Sequence, residues 1–214
     1  MNSAAPEKNI ELLRVRMDEL RITLRQLDPQ ILAAHTASTF SNTTESRGVF
    51  RLNFWHRPTE ILCPEFIVKD VISGKELHPA QQALVLYYYH TANGMPISNK
   101  WISFSDLQDG RFYARAYQGY TGHELAQRLK GDRELFITAA TEIHGEPYTM
   151  GDASFIFKIL PRVHLLVVFW QGDDEFPSNF QVLFNTSANH YLPTDACAIA
   201  GSMLTRQLIK AAKK

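Results

Sequence analysis

The chain has 214 residues, of which 45% are hydrophobic and 21% charged, and these values are typical of one soluble globular domain. Lys plus Arg equals Asp plus Glu at 22 each, and this zero net charge argues against a dedicated binder of nucleic acid or of a membrane. The longest purely apolar run, residues 165–170, is too short to span a bilayer, and the N-terminus lacks a signal-peptide core, so we expect a cytoplasmic protein.

Residues 7–27 are predicted to form a helix with a heptad seam. Apolar residues recur there in steps of three and four, at Ile10, Leu13, Met17, Leu20, Leu24 and Leu27. A seam this narrow fits a single partner helix, which predicts docking to a protein partner or assembly of a homo-oligomer through residues 7–27. The alternative is that the helix lies across its own domain, because three heptads are near the minimum for a coiled coil. Asp28 and Pro29 mark the start of a second, short helix.

Strand patterns dominate the next segment. A polar loop over residues 36–48 precedes predicted strands at residues 49–55, 59–63 and 65–71. Pro64 lies between the last two and indicates an edge strand or a bulge. The segment therefore predicts a three-stranded meander.

The second half of the chain groups its helices before its strands. Helices are predicted at residues 79–91 and 111–144, the latter broken near residues 119–122 and 131–132, and a final helix begins at Thr194 or Asp195. Strands are predicted at residues 153–160, 163–170 and 180–184, the middle one apolar on both faces and therefore central. Because strands and helices are grouped and not alternating, we predict an α+β fold with a mixed or mainly antiparallel sheet of about five or six strands. The predicted organisation is an assembly helix at residues 1–27 and a single domain at residues 28–214.

No motif with a fixed catalytic mechanism occurs in the sequence. P-loop, GxGxxG, GxSxG, HExxH, EF-hand and Cys/His zinc patterns are all missing from it. The two cysteines, Cys63 and Cys197, are too few for a cubane cluster, and we interpret both as small buried hydrophobes. We therefore expect no metal or other cofactor bound by this chain, and we favour a binding protein over an enzyme.

The first candidate site is an acidic turn, Asp173, Asp174 and Glu175. Clustered carboxylates hold a hard cation through oxygen ligands, or they divide into an acid and a base. This favours, as one alternative, a small metal-dependent or acid/base hydrolase or lyase using the loop region 172–191. The other interpretation is an ordinary hairpin turn, since Gly and Asp are common turn residues.

The second candidate site is a polar run between a strand and the last helix. Its candidate ligand-binding residues are Asn185, Ser187, Asn189, His190 and Tyr191. Ser187 and His190 are three residues apart, which permits a nucleophile pair if a carboxylate orients the histidine. Asp173 or Asp195 would supply that carboxylate. The favoured interpretation is that His190 and Tyr191 lock the loop against the sheet or contact a ligand.

Aromatic residues form the third candidate site. Trp101, Trp170 and the tyrosines at residues 87–89 suit a pocket for a tetrapyrrole or a flavin, and Trp101 joins the candidate ligand-binding residues on this ground. The alternative is core packing, because large aromatic side chains dominate core burial.

Two blocks of sequence carry a family resemblance, namely residues 82–107 (QALVLYYYHTANGMPISNKWISFSDL) and residues 151–195 (GDASFIFKILPRVHLLVVFWQGDDEFPSNFQVLFNTSANHYLPTD). They resemble a prokaryotic family that is known as a domain of unknown function, is common in anaerobes, and often carries the description iron–sulphur protein. The resemblance covers about residues 28–210. It implies a cytoplasmic protein that is accessory to anaerobic metallo-enzyme or one-carbon chemistry, with any cluster or corrinoid held by a partner or by a fused segment.

Overall fold

The computed structural model describes residues 4–213, with side chains from residue 11 onward. The chain divides into two compact units. The first comprises the chain up to Pro96 together with Leu160–Arg162 and His190–Pro193, and the second comprises Ile97–Ile159, Val163–Asn189 and the chain from Thr194. Both units combine helices with an antiparallel sheet, which confirms the predicted α+β class.

The first unit contains a four-stranded antiparallel sheet in the order β1–β2–β3–β4. Its elements in chain order are α1 (Ala4–Leu24), α2 (Pro29–Thr36), β1 (Thr39–Asn42), β2 (Gly48–Phe54), β3 (Arg57–Cys63), β4 (Ile67–Asp70) and α3 (Pro79–Thr91). The meander is therefore as predicted, but β1 falls where the sequence suggested a loop. The other residues of β1 are polar, so the sequence shows no strand pattern there. Its one aromatic residue is Phe40, whose ring lies 4.7 Å from that of Phe50.

The helix predicted at residues 7–27 is present as α1, and the inner part of its seam is covered. Met17, Leu20 and Leu24 are at most 4% exposed. Ile10 lies outside the described side chains, and Leu27 follows the end of the helix and is exposed. The seam thus contributes to the core of the first unit, as in the interpretation of a helix lying across its own domain.

Two arginines attach α1 to α3. The Arg16 Nε donates a hydrogen bond to the Tyr87 hydroxyl at 3.4 Å, and its guanidinium lies over the Tyr87 ring at 5.6 Å. The Arg21 guanidinium donates to Gln82 Oε1 at 3.3 Å. Both contacts lie beside the seam, so they fix the rotation of α1 as well as its position.

The second unit contains a five-stranded antiparallel sheet in the order β5–β9–β8–β7–β6. Its elements in chain order are β5 (Trp101–Ile102), 3₁₀ turns at Phe104–Asp106 and Gly110–Phe112, α4 (Ala114–Gln118), a π-helical turn (Gly119–His123), α5 (Glu124–Leu129), α6 (Arg133–Glu142), β6 (Glu146–Tyr148), β7 (Ala153–Leu160), β8 (Val163–Trp170), β9 (Asn179–Asn185), a 3₁₀ turn at Ala188–His190, and α7 (Thr194–Ala211). The predicted strands are all present, but they belong to two sheets and not one.

Strand β8 is the centre of the second unit, as its two apolar faces predict. Residues 165–169 are fully buried. On one face the Phe169 ring lies 4.7 Å from that of Phe180, and Phe136 of α6 meets the Phe180 ring at 5.1 Å. Within residues 4–213, no helix is both long enough and apolar enough to cross a bilayer.

Candidate functional site

The acidic turn is closed by one of its own carboxylates. Asp173 Oδ1 accepts hydrogen bonds from the backbone N–H groups of Glu175 at 2.9 Å and Phe176 at 2.8 Å. These backbone donors lower the pKa of the Asp173 carboxyl. Asp174 and Glu175 are exposed. The contacts of Asp173 are those of an ordinary hairpin turn, and no group of three or more His, Cys, Asp or Glu residues in the described chain is placed to hold a metal ion.

Asn185 and Ser187 are buried and tie the end of β9 to neighbouring backbone. The Asn185 amide donates to the Ser187 hydroxyl and accepts from the His164 backbone N–H at 3.4 Å. The next residue, Thr186, donates its N–H to the Lys100 carbonyl at 2.9 Å. Because both side chains are buried and hydrogen-bonded to one another, their contacts are those of structural residues.

His190 and Tyr191 belong to the first unit, whereas Asn185, Ser187 and the exposed Asn189 belong to the second. The Tyr191 side chain is fully buried, its hydroxyl donates to the Met95 carbonyl, and its ring lies 5.7 Å from that of Tyr88. His190 Nδ1 lies 2.9 Å from Asn93 Nδ2. Both residues therefore hold the loop that follows α3.

The loop after α3 also fixes the tautomer of His190. The Met95 N–H donates to Asn93 Oδ1 at 3.2 Å, which orients the Asn93 amide with its NH₂ group towards His190. An amide nitrogen only donates, so His190 Nδ1 accepts, and the neutral ring carries its proton on Nε2. Within the first unit, His190 thus has a positioning role for the loop at residues 92–96.

Trp101 lies on one face of the second sheet. It packs with Trp170 against a buried cluster of Leu166, Val168 and Leu183, and its ring meets Tyr148 edge to face at 5.9 Å. The Trp101 indole N–H is buried and has no hydrogen-bond partner in the described part of the chain. These contacts agree with the core-packing interpretation of this tryptophan.

A cavity that the sequence did not suggest lies in the second unit. We call it the basic groove; its volume is about 360 Å³. Its lining residues are Tyr120, Glu124, Arg128, Ser202, Thr205, Arg206, Ile209, Lys210 and Lys213. Tyr120, Glu124 and Arg128 are spaced four residues apart, so they share one face of the π-turn and α5. The six residues from Ser202 to Lys213 recur at intervals of three and four, so they share one face of α7.

The charge of the basic groove is unbalanced. Arg128 Nε donates to the Glu124 carboxylate at 2.8 Å, and this is the groove's one carboxylate. Across residues 11–213, no acidic side chain forms an ion pair with Arg206, Lys210 or Lys213. Arg206, Lys210 and Lys213 therefore share the groove without an ion-pair partner among the described side chains.

The π-helical turn fixes one wall of the groove. Gln118 Nε2 donates to the Phe180 carbonyl at 2.9 Å, and a Cβ on Gly122 would lie only 2.1 Å from the same oxygen. The Thr121 hydroxyl is buried and donates to the Tyr117 carbonyl at 2.6 Å. The turn is thus pressed against β9, and π-turns of this kind are frequent at functional sites. Tyr120, on the same turn, lines the groove.

Sequence reasoning missed the groove because its residues have ordinary explanations one at a time. Cations in the last turn of a helix favour its C-terminal dipole, which accounts for Lys210 in α7. Glu124 and Arg128 form an i,i+4 pair of the kind found on many solvated helix faces. The one usable signal was that cations recur on α7 at intervals of four and three residues, starting at Arg206, which precedes the last turn.

Comparison with known proteins gives a family but no relative of known activity. A family model described as a domain of unknown function (DUF3786) matches residues 28–207. No curated protein and no solved structure matches the chain. The family match covers most of the chain and begins after α1.

Proposed function

The chain belongs to the DUF3786 family, and since that description names no activity, we propose from the geometry of the basic groove that the protein binds a small anionic ligand. The observation that carries the proposal is the convergence of Arg206, Lys210 and Lys213 on one cavity without a carboxylate partner among the described side chains. Like charges on a shared surface repel, and a bound anion removes that repulsion.

The lining of the groove suits phosphate or carboxylate groups. A guanidinium such as that of Arg206 binds these groups through two parallel hydrogen bonds, and lysines bind them as point charges. A cavity of about 360 Å³ is at the small end of the range for small-molecule sites, which favours a metabolite over a polymer. The dipole of α7 explains the cation in its last turn, Lys210, but it does not explain Arg206, which precedes that turn.

Binding is favoured over catalysis by the same lining. Among the described residues that line the groove there is neither His nor Cys, and Glu124 is paired with Arg128. The Thr205 hydroxyl donates to the Gly201 carbonyl within α7. Among the described lining residues, no nucleophile is therefore paired with a base that would activate it.

Pyrophosphate is the probe for the proposed function, with affinity measured by isothermal titration calorimetry at low salt. We expect the double variant Arg206→Glu/Lys210→Glu to weaken binding by at least about tenfold, because attraction is replaced by repulsion at two positions. Added salt should weaken binding of the wild-type protein as well, since the groove is open to solvent.

A charge-reversal control outside the groove is Arg115→Glu. Arg115 lies in the same unit on α4, is exposed, and is outside the groove lining, so its reversal changes net charge without touching the site. Equal pyrophosphate affinity in the wild-type protein and the groove variant, with Arg115→Glu unchanged too, would overturn the proposal.

A second proposed function is self-association through the outer face of α1. Leu12, Val15 and Ile22 are between 53% and 62% exposed, although Met17, Leu20 and Leu24 of the same helix are buried. Their spacing of three and seven places them on one face of the helix, where the charged Glu19 occupies the turn between Val15 and Ile22. Exposed large apolar residues in a row on one helix are typical of a contact surface.

The cellular context is part of the same proposal. The family resemblance of residues 82–107 and 151–195 suggests a cytoplasmic accessory role beside anaerobic metallo-enzyme or one-carbon chemistry. Its support is this resemblance alone, which is associational and names no ligand. The basic groove adds a chemical requirement, namely that the ligand be an anion.

A further inference from the structure

The basic groove has an aromatic end. A Cβ on Gly201 would lie 2.1 Å from the Tyr117 hydroxyl, so the Tyr117 side chain meets α7 at Gly201, next to Ser202. The ring of Tyr120 lies 5.6 Å from the ring of Tyr117, edge to face at 79°. Tyr120 therefore stands near the Ser202 end of the groove lining.

The opposite end of the groove is cationic. Arg206, Lys210 and Lys213 follow Ser202 along the same face of α7. With a rise of 1.5 Å per residue, the backbone of Lys210 lies roughly 12 Å along the helix axis from that of Ser202. Arg206, the first cation, lies roughly 6 Å along the axis from Ser202, and Ile209 lies among the cations, next to Lys210. The groove thus has an aromatic ring at one end and cations from Arg206 onward, with Ile209 as an apolar side chain among them.

The Tyr120 ring is held ready to receive a planar partner. It is 42% exposed, and the part that is buried raises the pKa of its hydroxyl. Its backbone belongs to the π-turn that Gln118 and Gly122 press against β9, so the ring has a rigid support. Aromatic side chains on rigid elements are the usual platforms for stacking of nucleobases.

We propose, on the premise that the groove binds an anion, that its ligand is a nucleoside phosphate. The base stacks on Tyr120 and the phosphate lies among Arg206, Lys210 and Lys213. Sugar and base contribute the length that separates the two ends of the groove. Bare phosphates and sugar phosphates satisfy the cations alone, so they bind more weakly than a nucleotide.

Calorimetry with two ligands tests this proposal directly. Adenosine 5′-monophosphate and ribose 5-phosphate share the phosphate and the sugar, and only the first carries a base. For the wild-type protein we expect the nucleotide to bind about tenfold more tightly, which is the usual scale of one stacked base. In Tyr120→Leu the ratio should fall close to one, with the affinity for ribose 5-phosphate unchanged. Tyr120→Phe keeps the ring and should keep the ratio.

The outcomes separate the inference from the function on which it rests. If both ligands bind the wild-type protein equally and Arg206→Glu/Lys210→Glu weakens both, the groove binds anions but the nucleotide proposal is overturned. If neither ligand nor pyrophosphate binds, the proposed function itself fails. The wild-type ratio decides the question even if Tyr120→Leu does not fold.

Discussion

Asp70 shows how one buried carboxylate fixes a turn in the first unit. Its Oδ2 accepts from Arg57 Nε at 2.6 Å and its Oδ1 accepts from the Ser73 backbone N–H at 2.7 Å, while only 6% of the side chain is exposed. Both donors favour the charged form, so the hydrogen bond from Arg57, followed by that from Ser73, holds the pKa of this carboxyl well below its usual range.

The substitution Asp70→Asn tests this interaction through its pH dependence. Near neutral pH we expect a loss of about 1.5–3 kcal/mol in the free energy of unfolding, the scale of hydrogen bonds to a charged group. A carboxyl with a depressed pKa stabilises the fold above its unfolded pKa of about 4, and this contribution is lost as pH falls through the folded pKa. The difference between variant and wild type in urea unfolding should therefore shrink below about pH 4.

The control for Asp70 is Asp18→Asn, which removes the same charge from an exposed pair. Asp18 lies 2.9 Å from Arg21 on α1, and its side chain is 70% exposed. Such pairs contribute about 0.3–0.5 kcal/mol, so this variant should remain close to the wild type at every pH. A loss as large as that of Asp70→Asn would show that charge removal alone, and not the buried contact, sets the effect.

The π-helical turn supports one wall of the groove, and its two glycines make a matched pair. A Cβ on Gly122 would lie 2.1 Å from the Phe180 carbonyl oxygen, whereas a Cβ on Gly119 would meet nothing within 4 Å. We expect Gly122→Ala to destabilise the protein by about 1–3 kcal/mol through overpacking. Gly119→Ala should be neutral or stabilising by up to about 1 kcal/mol, since alanine favours helix.

Thermal unfolding followed by circular dichroism measures the glycine pair. For a chain of this size each kcal/mol moves the unfolding midpoint by about 2–4 °C. Gly122→Ala should therefore unfold at a lower temperature than the wild type, and Gly119→Ala at the same or a higher temperature. If Gly122→Ala matched the wild type, the turn would have room to move away from β9. Its support of Tyr120 would then be weaker than proposed.

Most elements could be predicted from sequence because local patterns specify them. The apolar run at residues 165–169 gave a central strand, and residues 131–132 gave the break between α5 and α6. The break predicted near residues 119–122 is instead a π-helical turn that joins α4 to α5. The division of strands between two sheets could not be predicted, because periodicity identifies a strand but not its partner. The short β1 was missed for a related reason, since a single aromatic, Phe40, anchors it.

The candidate sites were harder to predict than the elements, because polar residues in loops serve either to bind ligands or to hold the loop itself. Asp173, Asn185 and Tyr191 carry the polar groups expected of a site, but each makes hydrogen bonds that hold its own turn or a neighbouring segment. The basic groove depends on α5 and α7 lying side by side, and no spacing within either helix reveals that. Tertiary placement, not residue type, distinguishes the two cases.

At the scale of the whole molecule, a zero net charge conceals an uneven distribution. Cations without acidic partners among the described side chains gather in one groove, while α1 alternates its charges in pairs three residues apart, as in Arg16 with Glu19 and Asp18 with Arg21. The zero net charge argued against a polymeric anion as ligand. It gave no information about the charge of the basic groove or of α1.

The outer face of α1 gives the last prediction, with a second copy of this chain as the partner. Val15 and Ile22 are more than half exposed, so Val15→Glu/Ile22→Glu should change stability little while placing carboxylates in an isologous helix–helix contact. Light scattering after size exclusion should then show a dimer for the wild-type protein and a monomer for the variant. Deleting residues 1–27 is a poorer test, because it also removes the buried Met17, Leu20 and Leu24. A wild-type protein with the mass of one chain at high concentration would contradict self-association, and the exposed face would then need a different partner.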